Sequence, residues 1–163
     1  IVDGLETAFG NTRRIIMATT TFSGPVKAGT IREGASANTG FVLMAQSAKI
    51  VFGADGSTTT IATLPANSQI FQITLDVTTA FDAGSANTID FGDGTTADKF
   101  ADALAAGSQA RVLATSDVSQ IGNLIDIGTS DVTVVATYNQ SGSAATAGEA
   151  TATVLYLQNN NLS

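Results

Sequence analysis

The stretch Ser68-Gln-Ile-Phe-Gln-Ile-Thr-Leu-Asp-Val-Thr-Thr79 alternates Phe71, Ile73, Leu75 and Val77 with Gln72, Thr74 and Asp76. Successive side chains of an extended chain point to opposite sides, so this spacing makes one apolar and one polar face, as in a strand lying on a core. Helical winding would scatter the four apolar residues around the axis. Working outward, the same grammar recurs. Upstream, Thr58–Leu64 is β-branched almost throughout and stops at Pro65-Ala66-Asn67. Before it, Gly40–Phe52 carries Phe41, Val42, Leu43 and Met44, then Ile50, Val51 and Phe52, and stops at Ala54-Asp55-Gly56-Ser57, where Asp55-Gly56 reads as a hairpin turn.

Downstream, Thr88–Phe91 is a short strand between the Asp82–Asn87 loop and the turn Gly92-Asp93-Gly94-Thr95-Thr96. Arg111–Thr115, Asn123–Ile127, Asp131–Asn139 and Ala150–Gln158 follow as strands. Val132, Val134, Ala136 and Tyr138 share one face of theirs, and Thr151, Thr153, Leu155 and Leu157 share one face of the last. Lys99–Ala106 is the one helical segment, begun by Asp98 as N-cap and stopped by Gly107. About eight short strands, one minor helix and no alternating strand–helix pattern predict an all-β fold, an antiparallel β-sandwich or jelly roll with one short helix in a connection. No internal repeat of propeller or solenoid period is present, and no apolar run approaches the ~20 residues of a transmembrane helix.

Composition narrows the chemistry. The chain has 163 residues, 44% hydrophobic and only 13% charged, with no His, Cys or Trp. One self-sufficient core is expected at this length. Without Cys there are no disulfides or thiolate nucleophiles; without His the usual zinc sites, Ser-His-Asp triads and imidazole acid–base chemistry are excluded. A formal net charge of −7 opposes binding to phosphate backbones, so no nucleic-acid partner is expected. Ordinary soluble domains carry about 25% charged residues. A chain so poor in charge suits a surface partly buried against copies of itself or another protein, because interface cores are depleted in charge.

The candidate sites are few. In Asp90-Phe-Gly-Asp93-Gly-Thr-Thr-Ala-Asp98, the carboxylates of Asp90, Asp93 and Asp98 are the candidate ligands for a structural Ca²⁺, against a plain turn set by Asp93-Gly94. The spacing is not that of an EF-hand, and the turn is the preferred reading. Carboxylate-pair hydrolysis has little to work with, since the three Glu (Glu6, Glu33, Glu149) fall in arms or loops. There is no Walker A or Gly-x-Gly-x-x-Gly phosphate loop. No enzyme, cofactor or catalytic residue is expected. Stacking surfaces for a glycan would have to come from Tyr138, Tyr156 or Phe81. Residues 1–16, with the Arg13-Arg14 pair, precede Met17-Ala-Thr-Thr, a common protein start. They read as an N-terminal extension or arm to a single domain over 17–163, with a disordered tail as the alternative.

Several segments resemble small virion proteins of tailed bacteriophages, notably marine and cyanobacterial ones. They are the start Met17-Ala-Thr-Thr-Thr-Phe-Ser-Gly-Pro-Val-Lys-Ala-Gly-Thr, Gly40-Phe-Val-Leu-Met-Ala-Gln, Leu64-Pro-Ala-Asn-Ser-Gln-Ile, Val77-Thr-Thr-Ala-Phe-Asp-Ala-Gly-Ser-Ala-Asn-Thr-Ile and Tyr156-Leu-Gln-Asn-Asn-Asn-Leu. The resemblance spans most of 17–163 and lies in turns and strand edges, so it carries no catalytic residue across. It implies a β-sandwich of the head-decoration, head-fibre or minor-capsid type on the capsid surface. It also implies a homo-oligomer, trimer or dimer, docked on the major capsid protein or other virion proteins. Residues 1–16 lie outside the resemblance and are a candidate capsid-binding or strand-exchanging arm, with Arg13 and Arg14 pairing capsid carboxylates. A receptor- or glycan-binding fibre head is the alternative.

Overall fold

The computed structural model describes residues 41–114 and 120–159. They form eight strands: β1 (Phe41–Val51), β2 (Ser57–Leu64), β3 (Gln69–Thr79), β4 (Ala86–Gly92), β5 (Ala101–Ala105), β6 (Ala110–Leu113), β7 (Val132–Ser141) and β8 (Glu149–Asn159). A single helical turn, α1 (Ile121–Ile125), precedes β7. Two four-stranded antiparallel sheets result, ordered β1-β8-β3-β6 and β2-β7-β4-β5. β4 pairs with β5, β3 with β6, β2 with β7 and β1 with β8, as though one long hairpin had been wound on itself. The expected all-β antiparallel sandwich is therefore present. No helix among the described residues is long and apolar enough to cross a membrane.

The core lies between the sheets. Alternate residues supply it: Ile73, Leu75 and Val77 from β3, Ile89 and Phe91 from β4, Val134, Ala136 and Tyr138 from β7, and Ala152, Val154 and Tyr156 from β8 are all buried. Removing each large aliphatic or aromatic side chain from water contributes about 1.5–3 kcal/mol. The shared face expected for Val132, Val134, Ala136 and Tyr138 is this inner face of β7, with Val132 half-buried at its end.

Four local expectations are corrected. Asp55-Gly56 is no hairpin, because β1 and β2 sit in different sheets; it is the corner that carries the chain across, with Gly56 at φ 75° and the Asp55 carboxylate accepting the Gln140 N–H at 2.8 Å. Phe71 faces out, 59% exposed, because the β3–β8 register shifts between Ile70 and Gln72 and puts Ile70 inside instead. Lys99–Ala106 is not helical: Ala101–Ala105 is β5, and Asp98 caps no helix. Its ladder with β4 shifts between Ile89 and Phe91, leaving Asp102 and Ala103 both outward between buried Ala101 and Leu104. That bulge turns a two-residue period into the i, i+3 spacing of a helix face. So short a helix is marginal alone, and the sheet ladder wins. Finally, Asn123–Ile127 is not a strand; its first three residues close α1, whose Leu124 is buried. The expected short helix thus exists, but between β6 and β7.

Candidate functional site

The acidic turn after β4 is built for structure. Asp93 Oδ1 accepts the N–H groups of Thr95 at 2.9 Å and Thr96 at 2.8 Å, while Oδ2 pairs with Lys99 Nζ at 2.9 Å. Gly94 supplies the positive φ of 83° that the turn requires. Bonding to the Thr96 N–H first, and the Lys99 ammonium next, pushes the Asp93 carboxyl down to about 2. Asp90 is engaged elsewhere: Oδ1 accepts the N–H of Ala103 at 2.8 Å and Oδ2 the amide of Asn139 at 2.6 Å. The first of these bonds holds the β5 bulge at Ala103, whose φ is 50°. Asp98 contributes its carbonyl to the Gln120 side chain at 3.0 Å. The three carboxylates are not gathered into a ligand set; among the described residues no group of three His, Cys, Asp or Glu is placed to hold a metal.

This turn has a pH consequence. A folded-state pKa near 2, against the ordinary value of 3.8, means that the unfolded chain binds more protons between those limits. Stability from Asp93 is therefore complete above about pH 4 and is lost as the pH falls towards 2. Asp76, lowered chiefly by its hydrogen bond to Arg111, and Asp82, lowered chiefly by its bond to Thr146, act in the same direction. We expect Asp93 to contribute about 1–2 kcal/mol after solvent screening. Denaturant midpoints at pH 2, 3, 4 and 5 should show Asp93→Asn with a shallower acid limb than the parent. Parallel pH profiles for the two proteins would reject this assignment.

The rings considered for glycan stacking are all interior. Phe81, Tyr138 and Tyr156 are 1%, 1% and 4% exposed. Phe81 packs on Tyr138 with centroids 4.8 Å apart, and the Tyr138 hydroxyl donates to Asn87 Oδ1 at 2.6 Å. Burial, with Asp82 and Asp55 nearby, raises the Tyr138 pKa. No sugar reaches these faces in the folded chain. Glu149 opens β8 rather than lying in a loop, and pairs with Lys49 at 2.6 Å. Arg13 and Arg14 lie outside the described residues, as does the expected boundary between residues 16 and 17.

The outward faces of the two sheets differ in kind. On β2-β7-β4-β5 the outward residues include Thr58, Thr60 and Thr63 on β2, Thr133, Thr137 and Asn139 on β7, and Thr88 and Asp90 on β4. This is a hydroxyl and amide surface. On β1-β8-β3-β6 the register stacks outward rows: Leu43 beside Leu157, Ala45 beside Leu155, Ser47 beside Thr153 and Lys49 beside Thr151. The rows continue across β3 and β6 to Asp76 and Arg111, which pair Nε to Oδ1 at 2.5 Å. The face therefore runs from charged at the Lys49–Arg111 end to apolar at the Phe41 end. Beside the apolar end, a groove of about 330 Å³ is lined by Ile70, Phe71, Ile121, Leu124, Ile125 and Leu157, with Gln69 at its rim. The sequence placed Leu155 and Leu157 on one face with Thr151 and Thr153, as found; which strands flank them is a long-range fact that spacing does not carry.

The described residues thus form an eight-stranded antiparallel sandwich with one hydroxylated and one part-apolar outer face. Two solved phage capsids contain chains of this fold. A chain of the cyanophage Pam1 capsid asymmetric unit superposes with a TM-score of 0.58 at 17% identity, covering 83% of this chain and 99% of that one. A chain of the acid-stable capsid of Helicobacter pylori bacteriophage KHP30 gives a TM-score of 0.52 at 20% identity, covering 74% of this chain and 94% of that one. At these identities the shared property is the fold. No family model matches the sequence, and no curated protein is significantly similar to it.

Proposed function

We propose that this chain is a structural, non-enzymatic protein of a phage virion: a jelly-roll capsid-decoration or head-fibre protein that binds the outer surface of the head as a small homo-oligomer, dimer or trimer. The observation that carries the reading is the Pam1 match, which covers 83% of this chain and 99% of a chain in a phage capsid asymmetric unit. The strand orders 1-8-3-6 and 2-7-4-5 suit the jelly-roll label, two sheets wound from one hairpin. A low-charge surface fits extended contact with shell proteins. Residues 1–16, with Arg13 and Arg14, act in this reading as an arm that pairs capsid carboxylates.

The test is binding of the purified chain to heads assembled without it, followed by co-sedimentation and imaging. Saturable occupancy at regular lattice positions is expected, and deletion of residues 1–16 should weaken it at least tenfold. Full occupancy by the deleted chain would remove the role of the arm. A chain that ignores heads but is retained on host cells or glycans would replace decoration by adhesion, a reading that the buried Phe81, Tyr138 and Tyr156 rings do not favour.

A further inference from the structure

Among the described residues four strands lie at sheet edges, and three of them are blunted. β6 has 4 residues; β5 has 5, with a bulge and a positive φ at Ala103; and the ladder of β2 shifts between Thr60 and Ala62. Short length, bulges and charge are how sheets avoid edge pairing. β1 has none of these over its first half. It runs 11 residues in unbroken register with β8, and its one charge, Lys49, sits near the far end. Phe41, Val42, Leu43 and Met44 are 41–55% exposed, so this ribbon shows apolar side chains on both of its faces. Through the Leu43–Leu157 pair it adjoins the groove beside Phe71, and Ile121 and Ile125 on the groove wall are 44% and 60% exposed.

We infer that a second copy of this chain docks on this end of the β1-β8-β3-β6 sheet, the Phe41–Met44 ribbon of one copy seating in the groove beside Phe71 of the other. Ribbon and groove are a projection and a hollow of matching apolar chemistry on one surface, which makes that surface complementary to itself. None of the ribbon or groove residues is charged. Elsewhere the described residues hold 3 Lys and Arg against 10 Asp and Glu, so copies approaching by other routes meet like charge. The ribbon with Phe71, Ile121 and Ile125 presents roughly 600 Å² of apolar surface, approaching the ~800 Å² per partner of a stable interface and at the top of what a lone monomer ordinarily shows. The inference rests on the preceding reading only in taking copies to associate. Its test uses the chain without capsid, so its failure leaves capsid binding untouched.

The mass of the full chain, measured by light scattering and native mass spectrometry at tens of micromolar, should be twice 16.5 kDa or a higher whole multiple of it. Leu43→Asp in the ribbon and Phe71→Asp in the groove should each weaken association at least tenfold, while Thr137→Asp on the opposite sheet leaves the mass unchanged. As a second readout in this Cys-free chain, Leu43→Cys and Phe71→Cys proteins, when mixed, should join through a short bis-maleimide linker, and Thr137→Cys should not. A monomer throughout the concentration range overturns the inference. So do an unchanged mass for both Asp variants and equal linking through residue 137. A chain that is monomeric alone but loses capsid binding on Phe71→Asp would assign this face to the capsid instead.

Discussion

Replacing Gly148 by alanine should cost about 3–5 kcal/mol, enough to unfold much of a marginally stable domain. An added Cβ would lie 2.4 Å from Cδ1 and 2.5 Å from Cγ of Phe81, well inside contact distance. The ring has nowhere to go. It is 1% exposed, packed against Tyr138, and its backbone is held by the Phe81 N–H donating to Ala106 at 3.0 Å. The glycine itself is anchored, its carbonyl accepting the Phe52 N–H at 3.0 Å, and its φ of 149° is one that L-residues avoid. Overpacking and backbone strain therefore add. Phe81→Ala should itself cost about 3–5 kcal/mol, yet it clears the space that the alanine needs. The double variant is expected to be more stable than the sum of the single losses by at least about 1 kcal/mol. Denaturant unfolding of the four proteins measures this. Strict additivity, or a loss under about 1 kcal/mol for Gly148→Ala, would contradict the packing account.

How much of this was legible in the sequence depends on how local the cause is. Strands with a strict two-residue period, such as Ile73–Val77 and Val132–Tyr138, announce their inner faces because one physical rule governs every residue in them. Two of the errors fall where a single inserted residue breaks that period. At Phe71 the bulge exchanges which of two adjacent apolar residues is inside. At Ala101–Ala105 a bulge reproduces a helical spacing, and alanine-rich propensity agrees with the wrong answer. The bulge owes its geometry to Asp90, which lies 13 residues away and bonds the Ala103 N–H. The Asp93-Gly94 turn was readable, because an Asx turn needs only neighbouring N–H groups. The burial of Phe81 and Tyr156 was not, since nothing local separates a core ring from a sugar platform. The apolar excess was visible in composition, and the rows that gather it at one end of one sheet emerge only with the pairing of β1, β8 and β3.

Gly92→Ala should be as damaging as Gly148→Ala, for a different reason, and the two can be told apart. Gly92 ends β4, and a Cβ there would stand 1.8 Å from the carbonyl oxygen of Thr96 and 2.6 Å from the carbonyl carbon of Ala97. Those are backbone atoms, so no rotamer change gives relief; the turn itself must open. Opening it strains the bond from the Asp93 N–H to Thr96 at 3.2 Å and the two bonds that the Asp93 carboxylate accepts. It also displaces Phe100, whose N–H donates to Phe91 at 2.7 Å and whose ring is fully buried. A loss of about 3 kcal/mol or more is expected. With the turn gone, Asp93 loses the Thr96 N–H that chiefly depresses its pKa, so its protonation moves back towards 3.8. Gly92→Ala should therefore lose the acid-dependent stability between about pH 4 and 2 along with the bulk stability, as Asp93→Asn does. Gly148→Ala, remote from that carboxylate, should keep it. Unfolding midpoints of the three variants at pH 2, 3, 4 and 5 decide the matter: an acid limb of parental steepness in Gly92→Ala would mean that the turn survives the substitution and that the strain is relieved elsewhere.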